Sequence, residues 1–210
     1  MKRFALLCSL LLMTTVAFAQ VPSVAFGVHA NITNANFPGP EINGSDALKD
    51  VYGTGFGGGA HLDVGAVGFS LRFSADYLSF SPDNDKYHAA LEPYIGSAAS
   101  QFTVSGGTIS YWSISANGKM PVLPLPIITP YITGGIGLGI INVGDAKVLQ
   151  NGVETKGIAG FSSESKTALN LGAGVDLKIG ITLFLEVRYT WLLTDPKTST
   201  LVPVSLGITF

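Results

Sequence analysis

From residue 20 onward, segment after segment alternates apolar with small or polar residues, yet no apolar run reaches the ~20 residues of a membrane-spanning helix. Successive side chains of a strand face opposite sides, so this alternation specifies strands with two unlike faces. The last segment is the clearest. Val202, Val204, Leu206, Ile208 and Phe210 point one way, and Pro203, Ser205, Gly207 and Thr209 the other. The chain is 47% hydrophobic with a mean hydropathy of +0.40, and only 12% of its residues are charged. Soluble domains carry about 25% charged residues. Lipid satisfies no backbone polar group, so a spanning protein without helices must be a closed barrel. The expected fold is all-β: an eight-stranded antiparallel up-and-down transmembrane β-barrel.

Period-two reading places the strands at Ser23–Ile32, Thr54–Val64, Gly68–Phe80, Thr108–Gly118, Thr129–Val143, Thr167–Lys178, Ile181–Leu192 and Leu201–Phe210. Most are long enough to cross a bilayer at a tilt. Pro130 makes the fifth the weakest, because proline gives no ladder hydrogen bond. Connections alternate in length. Asn34–Gly53, Ser81–Gly107, Gly144–Lys166 and Leu193–Thr200 are long or polar, and Gly65–Val67, Lys119–Ile128 and Ile179–Gly180 are shorter. Bacterial barrels have long extracellular loops and short periplasmic turns, which puts both termini on the periplasmic side. Tyr77, Trp112, Tyr189 and Trp191 fall toward the long-loop ends, where an interfacial aromatic girdle belongs.

Residues 1–19 read as a signal peptide: Lys2 and Arg3, an apolar centre, then Ala17-Phe18-Ala19. Cleavage between Ala19 and Gln20 leaves residues 20–210 as one barrel domain and removes Cys8, the only cysteine, and with it disulfide and thiol chemistry. Twelve Lys and Arg stand against fourteen Asp and Glu; without Lys2 and Arg3 the balance is −4, which does not suit nucleic acid.

The faces opposite the apolar stripes carry His29, His61, Asp63, Arg72, Asp76, Asp176, Lys178, Glu186 and Arg188. An eight-stranded barrel is just wide enough for side chains to fill it, so charges there must pair. Arg72 with Glu186, or Asp76 with Arg188, are candidate pairs. Two readings stay open: a salt-bridged plug, or a gate on a narrow path for ions or small solutes. Inward Gly55, Gly57, Gly59, Gly172 and Gly174 either leave room for water or relieve crowding.

Several patterns resemble chemistry without its context. The glycine runs Gly53–Gly59 and Gly134–Gly139 are followed by no helix, which a dinucleotide loop requires. Asp83, Asp85 and Glu92 lack the remaining positions of a calcium loop and read as a solvated loop. Neither His29, His61 nor His88 sits beside a serine in a nucleophile–base pattern, so no enzymatic role and no cofactor or metal is expected. A soluble lipocalin-like barrel is the remaining alternative, with apolar residues inside and charges outside.

Taken together, the signal peptide, the eight alternating strands, the loop asymmetry and terminal Phe210 resemble the small bacterial outer-membrane β-barrel family, similar to the transmembrane domain of outer-membrane protein A and its short relatives. The resemblance implies the cell outer membrane, a monomer in outer-membrane lipid, and Phe210 as the signal read by the barrel-assembly machinery. It implies either a structural or cell-surface role, with an extracellular ligand held by the loops, or a narrow passive channel. Tyr87, Tyr94, Ile95 and Phe102 make the second loop more apolar than a solvating loop needs; they are expected to pack locally.

Overall fold

Eight strands close into an antiparallel barrel in a computed structural model that describes residues 23–36, 51–66, 68–123, 125–158, 161–193 and 198–210. The wall consists of β1 (Ser23–Asn36), β2 (Gly55–Ala66), β3 (Phe69–Phe80), β5 (Ile109–Pro121), β6 (Ile128–Val143), β9 (Phe161–Lys178), β10 (Thr182–Leu193) and β11 (Ser199–Thr209). Each pairs with its neighbour in sequence among these eight, and β1 pairs with β11 to complete the ring. Closure leaves no unpaired sheet edge in the wall. Phe210 extends the seam, its N–H donating to Phe26 O at 2.8 Å.

The two faces separate as the alternation requires. Val24, Phe26, Val28 and Ile32 on β1, Phe69, Leu71 and Phe73 on β3, and Val204 and Leu206 on β11 are all exposed. His29, Asn31, Arg72, Asp76, Glu186 and Arg188 are buried. Apolar outside and charged inside is the reverse of a soluble lipocalin-like barrel. Tyr77 packs on Trp112 and Tyr189 on Trp191, with ring centroids 4.7 and 4.5 Å apart, both pairs near the long-loop end of the apolar belt. Pro130 is accommodated as the third residue of β6, opposite Val175. Pro203 leaves a mark instead. The β10–β11 ladder stops at Val187↔Val204 and resumes at Thr190↔Leu201, and the gap falls opposite Pro203, which has no N–H to give.

The strand bounds differ from the expected ones mainly in β9, which starts at Phe161 and runs 18 residues. A tilted spanning strand needs about 9–11 residues, so the wall continues past the lipid on the long-loop side. Residues 162–166, Ser-Ser-Glu-Ser-Lys, carry no apolar alternation in the sequence.

The second and third long connections are not loops alone. Residues 84–106 form α1 (Asn84–Ile95), a 3₁₀ turn (Gly96–Gln101) and β4 (Phe102–Gly106); residues 146–158 form β7 (Ala146–Gln150) and β8 (Val153–Ile158). β4, β7 and β8 make a three-stranded sheet that ties the two connections together. The β7–β8 hairpin turns on Asn151 and Gly152, both at positive φ, 51° and 81°, as a two-residue Asn-Gly turn requires.

Candidate functional site

The interior is stacked in layers along the barrel axis. At the short-turn mouth lies an open vestibule of about 310 Å³, lined among others by Asp63, Lys119, Asp176, Lys178, Thr182 and Thr209. Above it the section is filled by charge and rings. Arg72 donates twice to Asp63, at 2.7 and 2.8 Å, and lies 3.5 Å from Glu186 Oε2. Arg188 donates twice to Glu186 Oε1, at 2.9 and 2.5 Å, and the Tyr131 hydroxyl donates to Oε2 at 3.0 Å. Lys119 donates to Asp176 at 2.7–2.8 Å and sits 4.0 Å from the Tyr131 ring centroid. The Arg72 guanidinium covers Phe184 at 4.6 Å. Such pairing is what makes buried charge tolerable, since an uncompensated ion in low dielectric costs several kcal/mol.

Next comes a chain of four neutral polar side chains. Thr190 donates to Asn170 at 2.8 Å, Asn170 donates to Asn117 at 3.0 Å, and Asn117 donates to Ser115 at 2.9 Å. A cavity of about 20 Å³ lies among Asn31, Asp76, Asn170 and Arg188, room for one water. Asp76 Oδ2 and Asn31 Oδ1, both on residues that line it, have no protein hydrogen-bond partner. An apolar layer follows toward the long-loop side: Leu78, Phe80, Ile109, Tyr111, Ala168, Leu192 and Leu201 are buried against one another.

Glycines make this filling possible. A Cβ on Gly174 would fall 2.5 Å from the Tyr131 ring, and one on Gly55 would strike Phe80. The space these two inward glycines free is occupied by aromatic rings, not water.

Of the residues expected inside, His61, Arg72, Asp76, Asp176, Glu186 and Arg188 are buried there. Lys178 is the exception: it holds the inward register but is exposed at the vestibule rim, outside the paired set. Its place is taken by Lys119, assigned to a turn because the apolar alternation of β5 fades at Gly118. The Arg72–Glu186 contact is present at its longer distance. Asp76 is held not by Arg188 but by His29 Nε2 at 2.5 Å, with Asn31 donating at 3.2 Å. A partner chosen from charge alone misses histidine. The signal peptide and its Ala19–Gln20 junction lie outside the described residues. Phe210 is exposed at the seam.

The outer module is held by polar contacts. Asp83 caps α1, its Oδ1 accepting from Asp85 N and Lys86 N, so the acidic cluster is a helix start. The outer edge of β4 is engaged by α1: Asn84 Oδ1 accepts from Val104 N at 2.8 Å, and His88 Nε2 donates to Phe102 O at 2.6 Å. The β7–β8 ladder shifts register between Val148 and Leu149, and such bulges discourage pairing with a further strand. Tyr87 and Phe102 are half-buried, whereas Tyr94, Ile95 and Val153 face solvent. Local packing therefore accounts for only part of the apolar content expected to pack there.

Closed wall, outward apolar belt and charged interior define a small transmembrane barrel. Residues 4–210 match the outer membrane protein beta-barrel domain family, and the chain belongs to it. Its place is the outer membrane of a Gram-negative cell, with strands crossing the lipid. Among solved structures it is similar to Ail, the attachment invasion locus protein of Yersinia pestis, at 13% identity and a TM-score of 0.47, covering 91% of this chain and 100% of that one. The N-terminal barrel of Pseudomonas aeruginosa OprF is similar at 12% identity and a TM-score of 0.46, covering 90% and 100%. No curated protein sequence matches the chain.

Proposed function

We propose that this protein is a closed barrel that anchors a folded module at the cell surface, and that it acts through that module rather than through its lumen. One observation carries the reading: two successive layers block the section, the Arg72–Glu186–Arg188–Tyr131 layer and the Phe80–Leu192–Leu201 layer. The structure built beyond the belt, α1 with β4, β7 and β8, sits at the long-loop end. Long loops in bacterial barrels face outward, and exposed Tyr94, Ile95 and Val153 give that face apolar contact points for a ligand.

The test is conductance of the refolded protein in a planar bilayer, with an unboiled gel to show folding. The expected result is a silent membrane. Discrete, reproducible current steps would overturn the closed lumen and make the protein a narrow channel gated by the same charges. Orientation is checked separately. A Val153→Cys variant on intact cells is expected to react with a membrane-impermeant maleimide; labelling only after the outer membrane is broken would place the module inside.

A further inference from the structure

Four carboxylates, Asp63, Asp76, Asp176 and Glu186, share the interior with three paired cations, Arg72, Lys119 and Arg188. One negative charge is left over. Geometry locates it. Asp63 is held by Arg72, Asp176 by Lys119 and Glu186 by Arg188, while the direct partners of Asp76 are His29 and the neutral Asn31. His29 Nδ1 lies 3.4 Å from His61 Nδ1, and His61 Nε2 lies 3.0 Å from Thr209 Oγ1. Thr209 lines the vestibule, and Asp76 lines the one-water cavity above. A single file of polar atoms thus joins two spaces that the charged layer otherwise separates.

We propose that His29 and His61 form a one-proton couple, loaded from the vestibule through Thr209, whose proton is the counter-charge of Asp76. Hydrogen-bond bookkeeping fixes how it works. An ionised Asp76 only accepts, so His29 Nε2–H donates to it. In the unloaded pair His29 Nδ1 then accepts from His61 Nδ1–H, and His61 Nε2 accepts from the Thr209 hydroxyl. For loading, the Thr209 proton passes to His61 Nε2 while its oxygen takes one from a hydronium ion in the vestibule, which is left as water. The rings now share one proton between their Nδ1 atoms, and Nε2–H of His61 donates back to Thr209. A second proton would set N–H against N–H across the 3.4 Å contact and break it. The couple therefore holds one proton and no more.

The surroundings favour a localised charge. The Phe184 ring stands edge-on to both imidazoles, with centroids 6.0 Å from His29 and 5.3 Å from His61. The ionisable groups facing the pair are Asp63 of β2, Arg72 and Asp76 of β3, Lys119 of β5, Tyr131 of β6, Asp176 of β9, and Glu186 and Arg188 of β10. All but Asp76 have an ionic or hydrogen-bonding partner within this set; the carboxylate of Asp76 instead meets the imidazole directly. Among the described residues the apolar layer covers the long-loop side, so the proton route runs to the short-turn mouth.

The experiment is a pH titration of ¹⁵N-histidine-labelled protein in lipid nanodiscs from pH 10 to 4.5, with His88 signals assigned by a His88→Gln variant. The expected result is one protonation shared by both interior rings at a single midpoint. Asp76→Asn is expected to weaken proton affinity at least tenfold, moving the midpoint by one pH unit or more toward acid. Thr209→Val is expected to keep the midpoint and slow ring N–H exchange with solvent at least tenfold. Rings that stay neutral throughout, two separate protonations, or an unmoved midpoint in Asp76→Asn would each overturn the couple. Unslowed exchange in Thr209→Val would overturn the route. The wild-type titration decides alone if Asp76→Asn does not fold.

Discussion

Glu186→Ala is expected to cost about 3–5 kcal/mol of stability, the range for removing one partner of a buried charge pair. Glu186 is 1% exposed and accepts from Arg188, Tyr131 and, at 3.5 Å, Arg72. Truncation strands the buried Arg188 guanidinium and leaves the Tyr131 hydroxyl without its acceptor. Equilibrium unfolding in urea with lipid vesicles measures the loss. A companion double change, Glu186→Met with Arg188→Met, is expected to recover most of it, because the desolvation cost disappears with both charges. A single-variant loss below about 1 kcal/mol would mean that water reaches this layer, and with it the closed-lumen reading would fall.

Ile136→Arg is the second large effect, expected at about 2–4 kcal/mol in the same assay, the cost of a cation on the lipid face near the bilayer midplane. Ile136 is 63% exposed near the middle of β6, level with Ala116 and Leu169 on the neighbouring strands. In water such exposure would be an aggregation patch; in hydrocarbon it is the stabilising surface. Ile136→Thr, which keeps the branched shape without charge, is expected to cost much less. An arginine tolerated at no cost would place this height of the wall outside the hydrocarbon.

The barrel wall was legible because lipid on one side and packed side chains on the other impose different chemistry on alternate residues. Val202 to Phe210 shows it without interruption, and β11 is found there. Legibility fails wherever the two sides become alike. The start of β9, Ser162 to Lys166, is polar at every position and carries no alternation. Residues 84–106 and 146–158 look like loops in the sequence because α1 buries no residue of its own and is tied to the outer sheet by side-chain-to-backbone bonds such as Asn84 to Val104. Asp83-Asn84-Asp85 illustrates the ambiguity: the same carboxylate suits a calcium loop or a helix cap, and only the path of the following residues chooses.

Within the interior, period two decided which side chains point inward, since that is a property of one strand at a time. It determined that Arg72, Asp76, Glu186 and Arg188 share the lumen. It did not determine who meets whom. Partners come from different strands, and their heights depend on the register of every pairing between them: Asp63↔Arg72 are set by the β2–β3 register, and His29 reaches Asp76 across β2. Register and closure are properties of the whole ring, fixed by the sum of eight pairings. The sequence therefore settled the architecture and the cast of the interior, because lipid acts on each residue locally; only the closed tertiary structure decided the ion pairs and the contacts of His29 with Asp76 and His61.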